Sequence, residues 1–130
     1  MTPVDVDLVK SSFTRLQPRM NEFINMFYVR LFDTRPELCP LFGGRIELQA
    51  RALAAMLEKI VQLLDTRDTL VPLLGELGTR HACARVRPEY YAPFGDALLW
   101  TLDMILGREF TPEVRRAWEK AYAFMAGNMR

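Results

Sequence analysis

The chain has 130 residues, 17 basic and 16 acidic side chains and a net charge of +1, and half of its residues are apolar. This length predicts a single domain, residues 1–130, with a core large enough to enclose a ligand, and the composition excludes a disordered chain. The small net charge argues against a nucleic-acid groove or a polybasic membrane surface. Apolar runs are too short to span a bilayer, and the N-terminus lacks a secretory pattern, so we expect a soluble protein in the cytoplasm.

Apolar residues recur every three or four positions along the whole chain, and no segment alternates in the way that a strand does. The pattern predicts helices over 3–17, 19–34, 45–65, 68–82, 88–107 and 112–129, with a short helical turn over 36–42. Proline and glycine separate these segments, and Pro93 is expected to bend or delay the start of its helix. Thr111 is suited to cap the last helix, which Pro112 would begin. The predicted fold class is all-α.

The helix over 19–34 carries an apolar stripe that includes a tyrosine: Met20, Phe23, Phe27, Tyr28 and Leu31. A buried tyrosine hydroxyl needs a hydrogen-bond partner. Tyr28 therefore either donates inside the protein or extends its hydroxyl to water.

The helix over 45–65 carries the longest apolar stripe: Ile46, Ala50, Leu53, Leu57, Ile60 and Leu64. Gln49 precedes Leu53 by four residues, so we expect its amide on the buried side, where it needs a partner, or at the edge of the stripe. Phe42 lies just before this helix, in the sequence PLFGG, where its ring could pack against a flat ligand or belong to the core.

The single histidine, His81, ends a helix whose apolar face contains Leu70, Leu74 and Leu77. Gly78, three residues before it, is expected to leave space beside the imidazole. The ordinary role of such a histidine is a core imidazole that donates to a backbone carbonyl. The alternative is an axial ligand to haem iron, which requires a neutral imidazole in a dry pocket.

The two cysteines, Cys39 and Cys83, are too few for a disulfide framework and match no metal-binding spacing. We expect reduced thiols that are buried or half-buried.

Two collinear sets of motifs resemble bacterial single-domain globins and the haem domain of flavohaemoglobins. The first set comprises FYVRLF at 27–32, PE at 36–37, PLF at 40–42 and QARAL at 49–53. The second comprises LGTRH at 77–81, YYAPFG at 90–95, LL at 98–99 and AWEKAY at 117–122. Together they cover nearly the whole chain. The resemblance implies a globin fold around haem b, the iron complex of protoporphyrin IX.

On the distal side of the haem, the resemblance implies that Tyr28 and Gln49 face the bound gas. Leu53 would form the apolar wall of the distal pocket, and Phe42 would pack on the haem.

On the proximal side, the resemblance makes His81 the iron ligand and matches Tyr91 to the family tyrosine near that histidine, with Leu77 beside the haem. The arginines placed to reach the haem propionates are Arg45, Arg80 and Arg85.

The implied function is reversible binding of O2, CO and NO at five-coordinate ferrous haem. A hydrogen bond from Tyr28, with Gln49 orienting its hydroxyl or donating directly, is expected to slow oxygen loss roughly tenfold or more. One alternative is a nitric oxide dioxygenase that depends on an external reductase, since no reductase domain follows in this sequence. Another is the gas-sensing module of a longer protein, and a third is a haem-free helical bundle that binds other proteins.

The chain also departs from the flavohaemoglobin pattern. In that family a glutamate late in the last helix hydrogen-bonds the proximal site, and this sequence ends at Arg130 before that position. Without the carboxylate, His81 is expected to be a more neutral and less electron-donating ligand, which weakens a peroxidase-like or redox function.

Overall fold

A computed structural model of the chain describes the backbone of residues 1–42, 46–83 and 86–129. In these ranges there are six α-helices and no strand. The helices are α1 Pro3–Leu16, α2 Met20–Thr34, α3 Ile46–Gln62, α4 Arg67–Cys83, α5 Tyr91–Leu106 and α6 Pro112–Met129. Short 3₁₀ segments lie at Gln17–Arg19, Pro36–Phe42, Pro88–Tyr90 and Gly107–Glu109. The all-α prediction is confirmed.

The helix starts follow the local chemistry that the sequence predicts. The Thr111 hydroxyl accepts a hydrogen bond from the Val114 amide at 3.3 Å, so the expected cap of α6 is present. The helix expected over 88–107 begins with a 3₁₀ turn and becomes α-helical at Tyr91. Pro93 therefore lies in the first turn of α5, where its missing amide hydrogen is not needed.

The first helix has a cap that closes it from both directions. The Thr2 hydroxyl accepts from the Asp5 amide at 3.2 Å, and the Asp5 carboxylate accepts from the Thr2 amide at 2.8 Å. This reciprocal pair is a capping box, and it satisfies two amide donors that the helix leaves unpaired.

The core forms where α6 packs against α1 and α4, α2 packs against α5, and α3 packs against α2 and α1. Trp118 of α6 is fully buried, and its indole nitrogen donates to the Ser12 hydroxyl of α1 at 2.8 Å. Ser12 in turn donates to the Leu8 carbonyl at 2.7 Å. The only polar atom of the indole is therefore satisfied inside the core. None of the described helices has both the length and the apolar character to cross a membrane.

The helix that carries His81 is fixed to the end of α6 by a backbone contact. A Cβ atom built on Gly78 would lie 1.8 Å from the Met129 carbonyl oxygen. The expectation that Gly78 leaves space beside the imidazole was therefore wrong. That space holds the last turn of α6, and the glycine lets the two backbones meet.

Substitutions at the two glycines of α4 should have opposite effects on stability. Gly78→Ala is expected to lower the free energy of unfolding by about 1–3 kcal/mol, because the helices must separate to admit the methyl group. Gly75→Ala is the matched control, since nothing lies within 4 Å of its added Cβ. It should raise stability by about 0.5–1 kcal/mol through helix propensity. Urea unfolding of the three proteins measures both effects, and equal stabilities would contradict the backbone contact.

Candidate functional site

Tyr28 lies on the buried face of α2, as the sequence predicts, and is only 5% exposed. Two rings of the same helix contact it: Phe27 meets it edge-on at 5.4 Å between centroids, and Phe32 stacks on it at 5.7 Å. Burial raises the pKa of the Tyr28 hydroxyl to about 12. The phenol therefore keeps its proton at physiological pH and can act as a hydrogen-bond donor.

The apolar stripe of α3 is buried only toward the end of the helix. Of the stripe residues, Leu57 and Ile60 of α3 and Leu64 just after it are buried, whereas Ala50 and Leu53 are half-buried. In its first half, α3 packs against the core through Ala50 and Leu53 but leaves part of each side chain accessible, and Leu48, on the opposite face, is 62% exposed.

Gln49 is exposed, so the expectation of a buried amide was wrong. Its position near the start of α3 explains this, because burial decreases in that direction and Ala50 beside it is only half-buried. Helical periodicity places a residue on a face of a helix, but it does not show which turns of that face are covered.

His81 is half-buried near the end of α4, one turn after the buried Leu77. Its Nδ1 atom lies 3.2 Å from the hydroxyl oxygen of Tyr91, the first residue of α5. Burial lowers the pKa of the imidazole, and the positive charge of Arg80 lowers it further. The neutral ring is the form that binds a metal, and because Tyr91 engages Nδ1, the ligating atom would be Nε2.

Tyr91 is itself held by the last helix. The Tyr122 hydroxyl donates to the Tyr91 carbonyl at 2.6 Å. A Cβ atom on Gly95 would lie 2.6 Å from the Tyr122 ring, so the glycine provides the space that this ring occupies. The sequence includes Tyr122 in the motif AWEKAY but assigns it no contact, because Tyr91 and Tyr122 are far apart along the chain and only the packing of α5 on α6 brings them together.

The structure describes the remaining predicted site residues in part. Arg80 is exposed beside His81. Phe42 ends a 3₁₀ segment, but its side chain lies outside the described part of the structure, as do both Arg45 and Arg85.

The prediction of a buried thiol at Cys39 was wrong, because this free cysteine is exposed. Its neighbour Leu38 takes the buried position in the same 3₁₀ turn and is fully inaccessible. The side chain of Cys83 lies outside the described part of the structure.

The lowered pKa of His81 makes stability depend on pH. Below the ordinary value of 6.5 the unfolded chain binds a proton at this residue before the folded chain does, so acid favours unfolding. We expect His81 to cost no stability above pH 6.5, and stability to fall as the pH drops below 6.5 toward the lower pKa of the folded state. Unfolding of the chain without ligand, at a series of pH values, should show this slope, and His81→Gln should reduce it. An identical slope in the variant would contradict the burial of the imidazole.

Comparison with known proteins relates this arrangement to a family. Flavohemoproteins of Bacillus subtilis and Deinococcus radiodurans are each 30% identical to the chain, over 124 and 132 residues. The alignments cover 93% and 99% of this chain but only 31% and 33% of those proteins. The flavohemoprotein of Vibrio cholerae is 29% identical over 97% of the chain and 33% of its own length. The chain thus spans about a third of the length of these relatives. The family model for globins matches residues 25–129, and the chain therefore belongs to the globin family.

Proposed function

We propose that the chain is a haem-binding globin that reversibly binds O2, and also CO and NO, at ferrous haem b. The observation that carries this proposal is the contact between Nδ1 of His81 and the Tyr91 hydroxyl. It orients a neutral, half-buried imidazole so that Nε2 is the nitrogen that would bind a metal. The flavohemoprotein relatives support haem as the group that brings the metal.

The residues present fit a haem. His81 would hold the iron, and the buried Leu77 would give the porphyrin an apolar neighbour. Ala50 and Leu53, on the stripe of α3, are half-buried and leave apolar surface that a porphyrin would cover. We assign Phe42 to packing on the ring and Arg45 and Arg80 to its propionates. When bound, ferrous haem supplies the metal at which a diatomic gas binds.

The role proposed for Tyr28 is to donate a hydrogen bond to the bound gas. Its hydroxyl stays protonated because burial holds its pKa at about 12. A buried donor beside aromatic rings is effective because a low local dielectric strengthens its interaction with a partial negative charge. Gln49 is assigned a secondary role, since its exposed amide on α3 competes with water for its partners.

A second candidate function is nitric oxide dioxygenation with electrons from a separate reductase. The similarity to flavohemoproteins favours it, because their name implies a flavin as well as a haem and this chain matches only a third of their length. Measuring nitrate formed from nitric oxide and oxygen with a supplied reductant tests this function, and a cytoplasmic location would give access to such a reductase. If the protein binds oxygen reversibly but forms no nitrate, the dioxygenase function is wrong and reversible oxygen binding is the remaining function.

The first experiment is to supply haem to the purified protein and record its visible absorption with dithionite and then with CO. We expect an intense Soret band that shifts when the iron is reduced and again when CO binds. A pyridine haemochrome spectrum identifies the haem type. If haem supplementation produces no Soret band, the chain is a haem-free helical bundle and the proposed function is wrong.

A further inference from the structure

We propose that Phe32 is a positioning residue for Tyr28: its ring fixes the plane of the phenol and thereby the direction in which the hydroxyl donates. This inference rests on the donor function proposed above for Tyr28.

The contact between the two rings is close and parallel. Tyr28 and Phe32 are four residues apart on α2, so their side chains lie on the same face, one turn apart. Their ring centroids are 5.7 Å apart and their planes differ by 23°. This offset stack is a favoured geometry for aromatic pairs, and it resists tilting of either ring.

A second ring of the same helix completes the arrangement. Phe27 meets Tyr28 edge-on, with centroids 5.4 Å apart and planes at 66°. Among the described contacts of the phenol are thus a nearly parallel ring and an edge-on ring, both of α2. These two contacts within α2, together with the packing of that helix against α5 and α3, restrain its orientation.

The turn that carries Phe32 is held firmly although it is the last turn of α2. The Arg35 amide donates to the Leu31 carbonyl at 2.8 Å. The Thr34 hydroxyl donates to the carbonyls of Arg30, at 3.0 Å, and Leu31, at 3.1 Å. The bond from the Arg35 amide satisfies one of the carbonyls that a helix end leaves unpaired, and so it limits fraying beneath Phe32.

A positioning role explains Phe32 better than a role in filling the core. Phe23, on the same helix, is 1% exposed and belongs fully to the core, whereas Phe32 is only half-buried. A half-buried ring contributes less through burial, but its flat face can still restrain a neighbour. Hydrogen bonds weaken steeply when the donor angle departs from linear, so a restrained phenol is a better donor than one that swings.

The test compares three variants of the haem-loaded protein by stopped-flow measurement of oxygen and CO dissociation. Phe32→Leu keeps an apolar side chain but loses the flat face, so we expect oxygen to dissociate roughly two- to tenfold faster, with a smaller change for CO. Phe32→Tyr keeps the ring and should retain the original rates. Phe23→Leu is the matched control, which removes a ring from the same helix and should change stability but not dissociation. In the Tyr28→Phe background, Phe32→Leu should add nothing further to the oxygen rate.

A second readout follows the ring itself and does not depend on what Tyr28 donates to. Fluorotyrosine incorporated into the CO complex gives a fluorine NMR signal for position 28, assigned by its loss in Tyr28→Phe. We expect one sharp signal in the original protein and in Phe23→Leu, and a shifted or broadened one in Phe32→Leu.

The two readouts separate the possible failures. If the position-28 signal of Phe32→Leu matches that of Phe23→Leu, Phe32 does not position the phenol and the inference is overturned. If the signal changes but neither Phe32→Leu nor Tyr28→Phe alters oxygen dissociation, the contact is supported and the donor function of Tyr28 is overturned.

Discussion

His81→Leu should abolish stable haem binding while leaving the chain helical. The substitution removes the only imidazole of the sequence, whose Nδ1 atom the Tyr91 hydroxyl orients at 3.2 Å. Loss of a group that only supports a metal ligand typically costs roughly 10–100-fold in metal affinity, so loss of the ligand itself should cost more than about 100-fold. The rate of haem transfer to an acceptor globin, together with the Soret spectrum, measures the effect.

Two controls distinguish loss of the iron ligand from damage to the fold. Tyr91→Phe removes the hydroxyl that orients the imidazole but keeps the imidazole, so this variant should bind haem with a faster rate of haem loss. His81→Gly leaves space for an added ligand, and free imidazole should restore the spectrum of five-coordinate ferrous haem. Circular dichroism should show helix in every variant. If the His81→Leu protein has an unchanged Soret band and CO complex, His81 is not the iron ligand.

The helices could be predicted because each rests on chemistry within a few residues. The cap at Thr111 and the late start of α5 around Pro93 are examples. Gly78 shows the limit of prediction from local sequence. The reason that a glycine is needed there is the Met129 carbonyl, which belongs to a distant part of the chain. Nothing near Gly78 in the sequence distinguishes a space for a side chain from a space for another helix.

Burial was predicted less well than helix position, for a related reason. The stripe of α3 was expected to be buried along its whole length, but Ala50 and Leu53 in its first half are only half-buried against the core, and Gln49 near its start is exposed. Cys39 was misplaced because Leu38, its neighbour in a single 3₁₀ turn, takes the inward position. Periodicity shows which side chains share a face of a helix, whereas their burial depends on which other elements pack against that face.

The candidate site combines local and distant information in the same way. Tyr28 could be placed from the apolar face of α2, and its partner Phe32 lies one turn away, at a spacing that already predicts contact. Tyr122 gives no such signal, since it acts on Tyr91 through a hydrogen bond between two helices. The contact between Tyr28 and Phe32 is therefore readable from one helix, whereas the hydrogen bond that links Tyr122 to Tyr91 requires the fold.

Tyr28→Phe should speed oxygen dissociation roughly 10- to 100-fold, the value of a hydrogen bond to a charged acceptor. Bound oxygen carries more negative charge than bound CO, so CO dissociation should change much less. Stopped-flow rates for both gases measure the difference, and Tyr90→Phe, which removes a hydroxyl from the 3₁₀ segment Pro88–Tyr90, is the matched control.

The pH dependence of the oxygen dissociation rate tests independently whether the Tyr28 hydroxyl is the donor. Because burial holds the pKa of the Tyr28 hydroxyl at about 12, the donor stays protonated over the range in which an exposed tyrosine, with a value of 10.0, would lose its proton. The oxygen dissociation rate should therefore stay constant up to about pH 10. If the rate rises with a midpoint well below that pH, a different group controls oxygen release. If Tyr28→Phe changes the oxygen and CO rates equally, the hydroxyl affects access to the site and is not the donor.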